Sequence, residues 1–262
     1  MKRIIFLIIL LALVVFGFFN ASGQTKRPEI VTDRPDQTEA PVVLPKGSLQ
    51  VESGFIFEKN LDAQVEENNI AFNTTLIKYG VNDNFEFRFI AEFLGESITG
   101  PETPTMKTNG FSPIAIGAKI KLNDENGFWP QAALIGHINL KTGHKEFMPE
   151  HTAADFRFTF AHTLSERWSL SYNLGAEWDG ESPEAIFLYT LSFGYVITDK
   201  LAAFAEGYSF FPEAGKADNR IDGGFTYKIT PVVQFDVSGG IGLSENAPDY
   251  FVSTGCSFRL FK

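Results

Sequence analysis

The stretch Phe85-Glu86-Phe87-Arg88-Phe89-Ile90-Ala91-Glu92-Phe93 carries Phe, Phe, Phe, Ala and Phe at one set of alternate positions and Glu, Arg, Ile and Glu at the other. A period of two places successive side chains on opposite faces of a strand, so one face is aromatic and the other charged. Shifting the register by one residue exchanges the two faces, which fixes how such a strand must sit between an apolar and a polar surrounding.

The same alternation recurs outward from this stretch. It is found in Leu49/Val51/Phe55/Phe57, Ile114/Ile116/Ala118/Ile120/Leu122, Phe156/Phe158/Phe160 and Trp168/Leu170/Tyr172/Leu174/Ala176/Trp178. It continues in Phe187/Tyr189/Leu191/Phe193/Tyr195, Phe225/Tyr227/Ile229, Val233/Phe235/Val237/Ile241 and Tyr250/Val252/Thr254/Cys256/Phe258/Leu260. With less regular stretches near 69–81, 131–141 and 201–211, about twelve strands of about ten residues are predicted, the length a tilted strand takes to cross a bilayer. Short polar connections (82–84, 123–127, 165–167, 198–200, 230–231) alternate with longer ones (about 60–67, 95–110, 142–152, 179–184, 212–219, 244–249). Short turns at one end and long loops at the other are the layout of an outer-membrane barrel. The fold class read from the sequence is therefore all-β: a transmembrane antiparallel up-and-down barrel of about twelve strands over 48–262.

A soluble β-sandwich would use the same aromatics as its core. Two features favour the membrane. The apolar face of 168–178 runs aromatic, aliphatic, aromatic, aliphatic, small, aromatic, as girdles at two headgroup layers require. The opposite faces hold Gly54, Gly117, Ser169, Ser171, Asn173, Gly175, Ser238, Gly240 and Gly242, which suit a narrow interior.

Residues 1–23 open with Lys2 and Arg3, continue as an apolar run from Ile4 to Phe19 and close with Ala21 and Gly23. This pattern predicts a secretory signal peptide cleaved before Gln24; a signal anchor is the competing reading. The 262 residues include 32 acidic and 22 basic side chains, a net charge of -10 and a pI near 4.9, which excludes a nucleic-acid partner. A single cysteine, Cys256, excludes a disulfide framework and reads as a small lipid-facing residue.

Several phrases resemble a known family. Thr32-Asp33-Arg34-Pro35-Asp36-Gln37-Thr38-Glu39, Pro45-Lys46-Gly47, Thr75-Leu76-Ile77-Lys78-Tyr79-Gly80-Val81 and Ile116-Gly117-Ala118-Lys119 are similar to the outer-membrane family of phenol-degradation (meta-pathway) transporters. So is the tail, Asp222-Gly223-Gly224-Phe225-Thr226-Tyr227-Lys228-Ile229-Thr230-Pro231 followed by Gln234-Phe235-Asp236, Gly240-Ile241-Gly242-Leu243-Ser244 and Asp249-Tyr250-Phe251-Val252. The sequence departs from that pattern at Lys141, where the family has proline, and at Lys262, which follows the terminal aromatic. The resemblance implies a barrel in the outer membrane of a Gram-negative bacterium and uptake of small, often aromatic or apolar molecules.

Catalytic and metal readings are weak. His137, His144, His151 and His162 lack metal-ligand spacing, although His144, Glu146, Glu150 and His151 share one loop. A barrel phospholipase needs a serine beside a histidine, but His162 lies on the apolar face while Ser169 and Ser171 lie on the other. Gly239-Gly240-Ile241-Gly242 is flanked by strand, not by the helix start that a nucleotide site requires. No enzyme, cofactor or metal is expected.

The inner face carries Glu86, Arg88, Glu92, Lys119, Lys121, Arg157, Glu177, Glu206, Asp222, Lys228, Asp236 and Arg259. Facing lipid near mid-membrane, each Lys or Arg costs about 2–4 kcal/mol, so the lumen is where such charges persist. They are expected either to line a selective pore or to pair and close a narrow barrel. Residues 24–47, with Pro28, Pro35, Pro41 and Pro45, are too proline-rich for an ordinary element and are expected as a lumen plug or a periplasmic tether. The functional expectation is a channel for passive passage of a small molecule, in contact with outer-membrane lipid. The alternative is a non-conducting barrel that accompanies another envelope protein.

Overall fold

The computed structural model describes residues 28–62, 64–101 and 104–261; the predicted signal sequence at 1–23 lies outside them. Among the described residues thirteen strands follow one another, beginning with Ser48–Asp62 (β1), Val65–Asn82 (β2), Phe85–Thr99 (β3), Met106–Phe111 (β4), Ala115–Asn123 (β5), Gln131–Asn139 (β6) and Ala153–Thr163 (β7). They continue with Trp168–Trp178 (β8), Ile186–Val196 (β9), Leu201–Phe211 (β10), Asp218–Thr230 (β11), Val233–Gly242 (β12) and Tyr250–Phe261 (β13). Each strand pairs antiparallel with its neighbours, and β1 closes the ring against β13 from Ser48↔Phe261 to Lys59↔Tyr250. Closure removes the exposed edges that an open sheet would present.

β4 is not an additional stave. The first part of β3 pairs with β5 (Phe85↔Ile120 to Ile90↔Ala115) and its second part with β4 (Phe93↔Phe111 to Ile98↔Met106). β4 and β5 are thus two pieces of one wall position, separated at Ser112-Pro113-Ile114, and the barrel has twelve positions. Pro113 has no N–H to give to a ladder, so an interruption at this point follows from the sequence.

The surface is inverted relative to that of a soluble protein. In β3, Phe87 is 54% exposed while Glu86 and Arg88 are 0% and 2% exposed. Phe187, Leu174, Phe225, Val237 and Val252 likewise point outward, and Gln50, Lys119, Asn173, Thr190 and Ser257 are buried inside. Charge in the centre and phenylalanine outside is stable only where the outer solvent is apolar. Trp168 and Tyr195 pack at 4.6 Å near the short-turn end, and Phe156 and Trp178 at 6.2 Å nearer the long loops, forming the two aromatic levels.

Two predicted loops are corrected. The segment 60–67 is mostly strand, with β1 and β2 paired as far as Asp62↔Val65, and 95–110 contains the end of β3 and nearly all of β4. Glu66, Glu67, Asn68, Asn69, Glu96 and Ser97 give these hairpin tips polar side chains on both faces, so the hydrophobic alternation that signals a strand is lost there.

Candidate functional site: a plugged lumen

The proline-rich segment enters and leaves at the short-turn end. The Ile30 N–H donates to Pro231 O (2.7 Å) in the β11–β12 turn, and the Gly47 N–H donates to Gly80 O (2.7 Å) near the end of β2. Between these anchors the chain makes an excursion into the barrel and touches side chains from most of its wall. A segment without repeating backbone bonds must find partners elsewhere for its buried N–H groups. It finds them on wall side chains: Glu52 Oε2 accepts from Asp33 N (2.9 Å) and Arg34 N (3.1 Å), Glu206 from Gln37 N (2.7 Å), Asn173 Oδ1 from Glu39 N (2.7 Å) and Glu86 from Leu44 N (2.8 Å).

Asp33 is the centre of this arrangement. Its carboxylate lies 2.8 Å from Lys78 Nζ, 2.8 Å from Arg88 Nη1 and 2.9 Å from Lys119 Nζ, and it accepts the Ala40 N–H at 3.1 Å. Arg88 also pairs with Glu39 (2.7 Å) and Glu86 (3.2 Å), and its Nε–H donates to His137 Nε2 at 2.9 Å. His137 Nδ1 lies 2.9 Å from Asp155 Oδ1, so the ring that accepts from Arg88 donates to Asp155. Lys78 also pairs with Glu52. Burying an ion costs several kcal/mol unless partners restore what water supplied, and here cations of β2, β3 and β5 share carboxylates of the wall and of the segment.

A second anchor is Arg34. Its guanidinium donates to Asp236 Oδ1 and Ser253 Oγ, both at 2.9 Å, and to Thr74 Oγ1 at 3.2 Å. It fits because the wall is glycine at the point of approach: a Cβ on Gly54 or Gly255 would lie 2.4 or 2.5 Å from guanidinium atoms. Beyond it, Thr38 bonds to Thr190 (2.6 Å) and to Glu206, Ser192 donates to Asp36 (3.1 Å), and Arg157 reaches Gln37 O (3.2 Å).

The twelve charged positions singled out in the sequence fall into four groups. Glu86, Arg88, Lys119, Arg157, Glu206 and Asp236 bond directly to the segment, and Arg259 donates to Glu29 O (3.3 Å) and Gln50 (2.8 Å). Asp222 sits opposite Glu206 in register on β11. Lys121, bonded to Asp124, and Lys228, bonded to Glu29, lie at the short-turn rim. Glu92 and Glu177 line a cavity of about 580 Å³ on the long-loop side of Arg88, shared with Ile90, Leu94, Phe147 and Met148. The sequence list omitted Gln50, Glu52, Lys78, His137 and Asp155, and their partners Asp33, Arg34 and Glu39. Alternation with Leu49 and Val51 already placed Gln50 and Glu52 on the inner face; for Asp33 nothing in the spacing named a partner.

Outside the lumen, His162 stacks on Tyr172 with ring centroids 5.9 Å apart, and His144 contacts the Phe147 ring at 6.0 Å. Among the described residues, no group of three or more His, Cys, Asp or Glu side chains is arranged to hold a metal ion.

Solved structures share the architecture. An outer-membrane channel from Pseudomonas putida F1 superposes with a TM-score of 0.64 at 15% identity, covering 84% of this chain and 97% of that one. The β domain of the Bordetella autotransporter BrkA gives 0.57 at 7% identity, covering 82% and 100%, and the translocator domain of NalP from Neisseria meningitidis gives 0.54 at 10%, covering 82% and 90%. Likenesses this remote in sequence establish the barrel alone, and one barrel serves more than one task. No curated protein matches the sequence. The family model described as "Putative MetA-pathway of phenol degradation" matches residues 32–260, from the plug to the last strand, and the chain belongs to that family.

Proposed function

We propose that the protein is an outer-membrane channel through which a small neutral molecule, aromatic or apolar, passes down its own gradient without chemical change. The observation that carries this reading is the inverted barrel, a lipid-facing apolar wall around a polar interior, with a cavity of about 580 Å³ on the long-loop side of the plug. That volume is within the roughly 300–1,000 Å³ of small-molecule sites and about four times the 150 Å³ that accepts benzene in an engineered cavity. The likeness to the Pseudomonas putida channel and the family's description are in keeping with it.

The plug sets what ions experience. With Asp33, Arg34 and Glu39 in place, the wall charges Lys78, Arg88, Lys119 and Asp236 are occupied, and a hydrated ion must displace these pairs to cross. A planar-bilayer recording of the purified chain beside a variant starting at Gly47 tests this. The expected result is small conductance for the full chain and a larger, steady conductance for the shortened one. Silence from both, with heat-modifiable gel migration showing folded barrels, would refute an ion path opened by removal of the plug and favour the non-conducting scaffold.

A further inference from the structure

Toward the long loops, the inner face of β3 changes character. Glu86 and Arg88 are engaged by the plug, and the next inward positions are Ile90, Glu92 and Leu94, an acid between two aliphatic side chains. The main chain of Glu92 is held on both sides by Ser112, whose N–H donates to Glu92 O (3.0 Å) and whose Oγ accepts from Glu92 N (3.2 Å). That clamp fixes the point from which the Glu92 side chain enters the cavity of about 580 Å³.

The other carboxylates that line this cavity are paired or open to solvent. Asp155 bonds to His137 (2.9 Å), Glu177 lies 3.9 Å from Arg157, and Glu146 pairs with Lys145 (2.9 Å). Asp179 accepts the N–H groups of Glu181 and Ser182 in its own turn (2.8 and 3.2 Å), and Glu181 is exposed. Glu92 differs: among the described residues, no hydrogen bond or ion pair reaches its carboxylate. Arg34 is a cation whose field it feels, and that guanidinium is engaged by Asp236, Ser253 and Thr74. Around the acid stand Ile90, Leu94, Ala115, Phe147 and Met148. A polar group among apolar walls is costly until something hydrogen-bonds to it, and an ionisable side chain at membrane depth without a protein partner marks a place where a solute supplies one.

We infer that Glu92 is a specificity-determining residue of the cavity, accepting a hydrogen bond from a solute that carries an O–H or N–H donor on an aromatic or apolar body. The inference rests on the channel reading and narrows its substrate class. A simple cation would satisfy the acid and leave the apolar walls uncovered. A hydrocarbon would cover the walls and shut the acid away from water, with no partner in return. A solute with both parts meets both demands. A hydrogen bond to a charged group then separates a donor-bearing solute from its methylated counterpart by about tenfold or more in affinity.

The test is binding of para-fluorophenol, para-fluoroaniline and para-fluoroanisole to the purified full chain in detergent, read by fluorine NMR. Partition into the detergent is common to all variants and cancels in the comparison. Glu92→Leu removes the acceptor, Glu92→Met does so with a long unbranched side chain, and Glu92→Gln keeps an oxygen. Heat-modifiable migration identifies folded barrels, and either apolar variant serves if the other fails to fold. Wild type should bind the phenol, the aniline or both about tenfold more tightly than the anisole, which has no donor. The apolar variants should bind all three alike, and Glu92→Gln should retain part of the preference. A preference for one donor alone identifies whether a hydroxyl or an amine is the group recognised. Equal binding of all three by wild type, or an unchanged preference in a folded apolar variant, would overturn the role of Glu92 and leave the channel reading standing. Uptake of the three probes by cells with and without the protein is measured alongside. No acceleration of any probe would overturn the channel reading, and this inference with it.

Discussion

Replacing Asp33 with alanine removes the carboxylate that Lys78, Arg88 and Lys119 share at 2.8–2.9 Å. All three cations are almost fully buried, so water cannot take its place without opening the plug. Removing one partner of a buried ion pair costs about 3–5 kcal/mol, and here the loss falls chiefly on Lys119, since Lys78 keeps Glu52 and Arg88 keeps Glu39 and Glu86. At 1.4 kcal/mol per tenfold, the docked segment loses a factor of roughly a hundred to a few thousand against the undocked one. The readout is amide hydrogen exchange of the folded barrel, followed by mass spectrometry. The Arg34, Gln37, Glu39 and Leu44 amides donate to wall side chains and are protected only while the segment is docked. They should exchange faster by that factor, while the ladder amides of Phe87–Ile90 remain as in wild type. Adding Lys119→Met removes one stranded cation and should recover part of the protection. Unchanged protection in a folded Asp33→Ala barrel would show that the ion cluster does not hold the plug.

Arg88→Met leaves Asp33, Glu39, Glu86 and His137 without their shared donor; it should raise bilayer conductance and shift selectivity toward cations, measured as reversal potential in a salt gradient. Gly255→Val places side-chain atoms where the Arg34 guanidinium lies, and should free the segment for proteolysis after Lys46 while the barrel remains heat-modifiable. Phe87→Lys puts a charge on the lipid face and should cost about 2–4 kcal/mol if the position lies near mid-membrane, read from urea titration of folding into lipid vesicles. A stability loss no greater than that of Phe87→Ala would place this face away from hydrocarbon.

The wall was legible because lipid and lumen impose opposite demands on adjacent residues: Phe85, Phe87 and Phe89 against Glu86 and Arg88 could be read without any tertiary information. The signal failed where both faces meet water, as at Glu66–Asn69, and where one wall position is split in two, as at Ser112-Pro113-Ile114. The site was half legible. Alternation gives a face but not a partner, so Arg88 and Lys119 were placed inside without any sign that Asp33, some fifty to ninety residues earlier, would lie between them. Lys121 and Lys228 obey the same alternation but sit at the rim, because period two says nothing about depth along a strand. The proline content of 24–47 excluded regular structure there, and only the structure places 30–47 inside the barrel.

The most direct test of passive passage is the initial rate at which a radiolabelled small neutral aromatic such as phenol crosses the outer membrane of cells with and without the protein. The rate should rise with expression, increase in proportion to external concentration, and persist when an uncoupler collapses the energy of the inner membrane. A rate equal to that of cells lacking the protein, from a barrel shown to be folded in the outer membrane, would contradict a channel function.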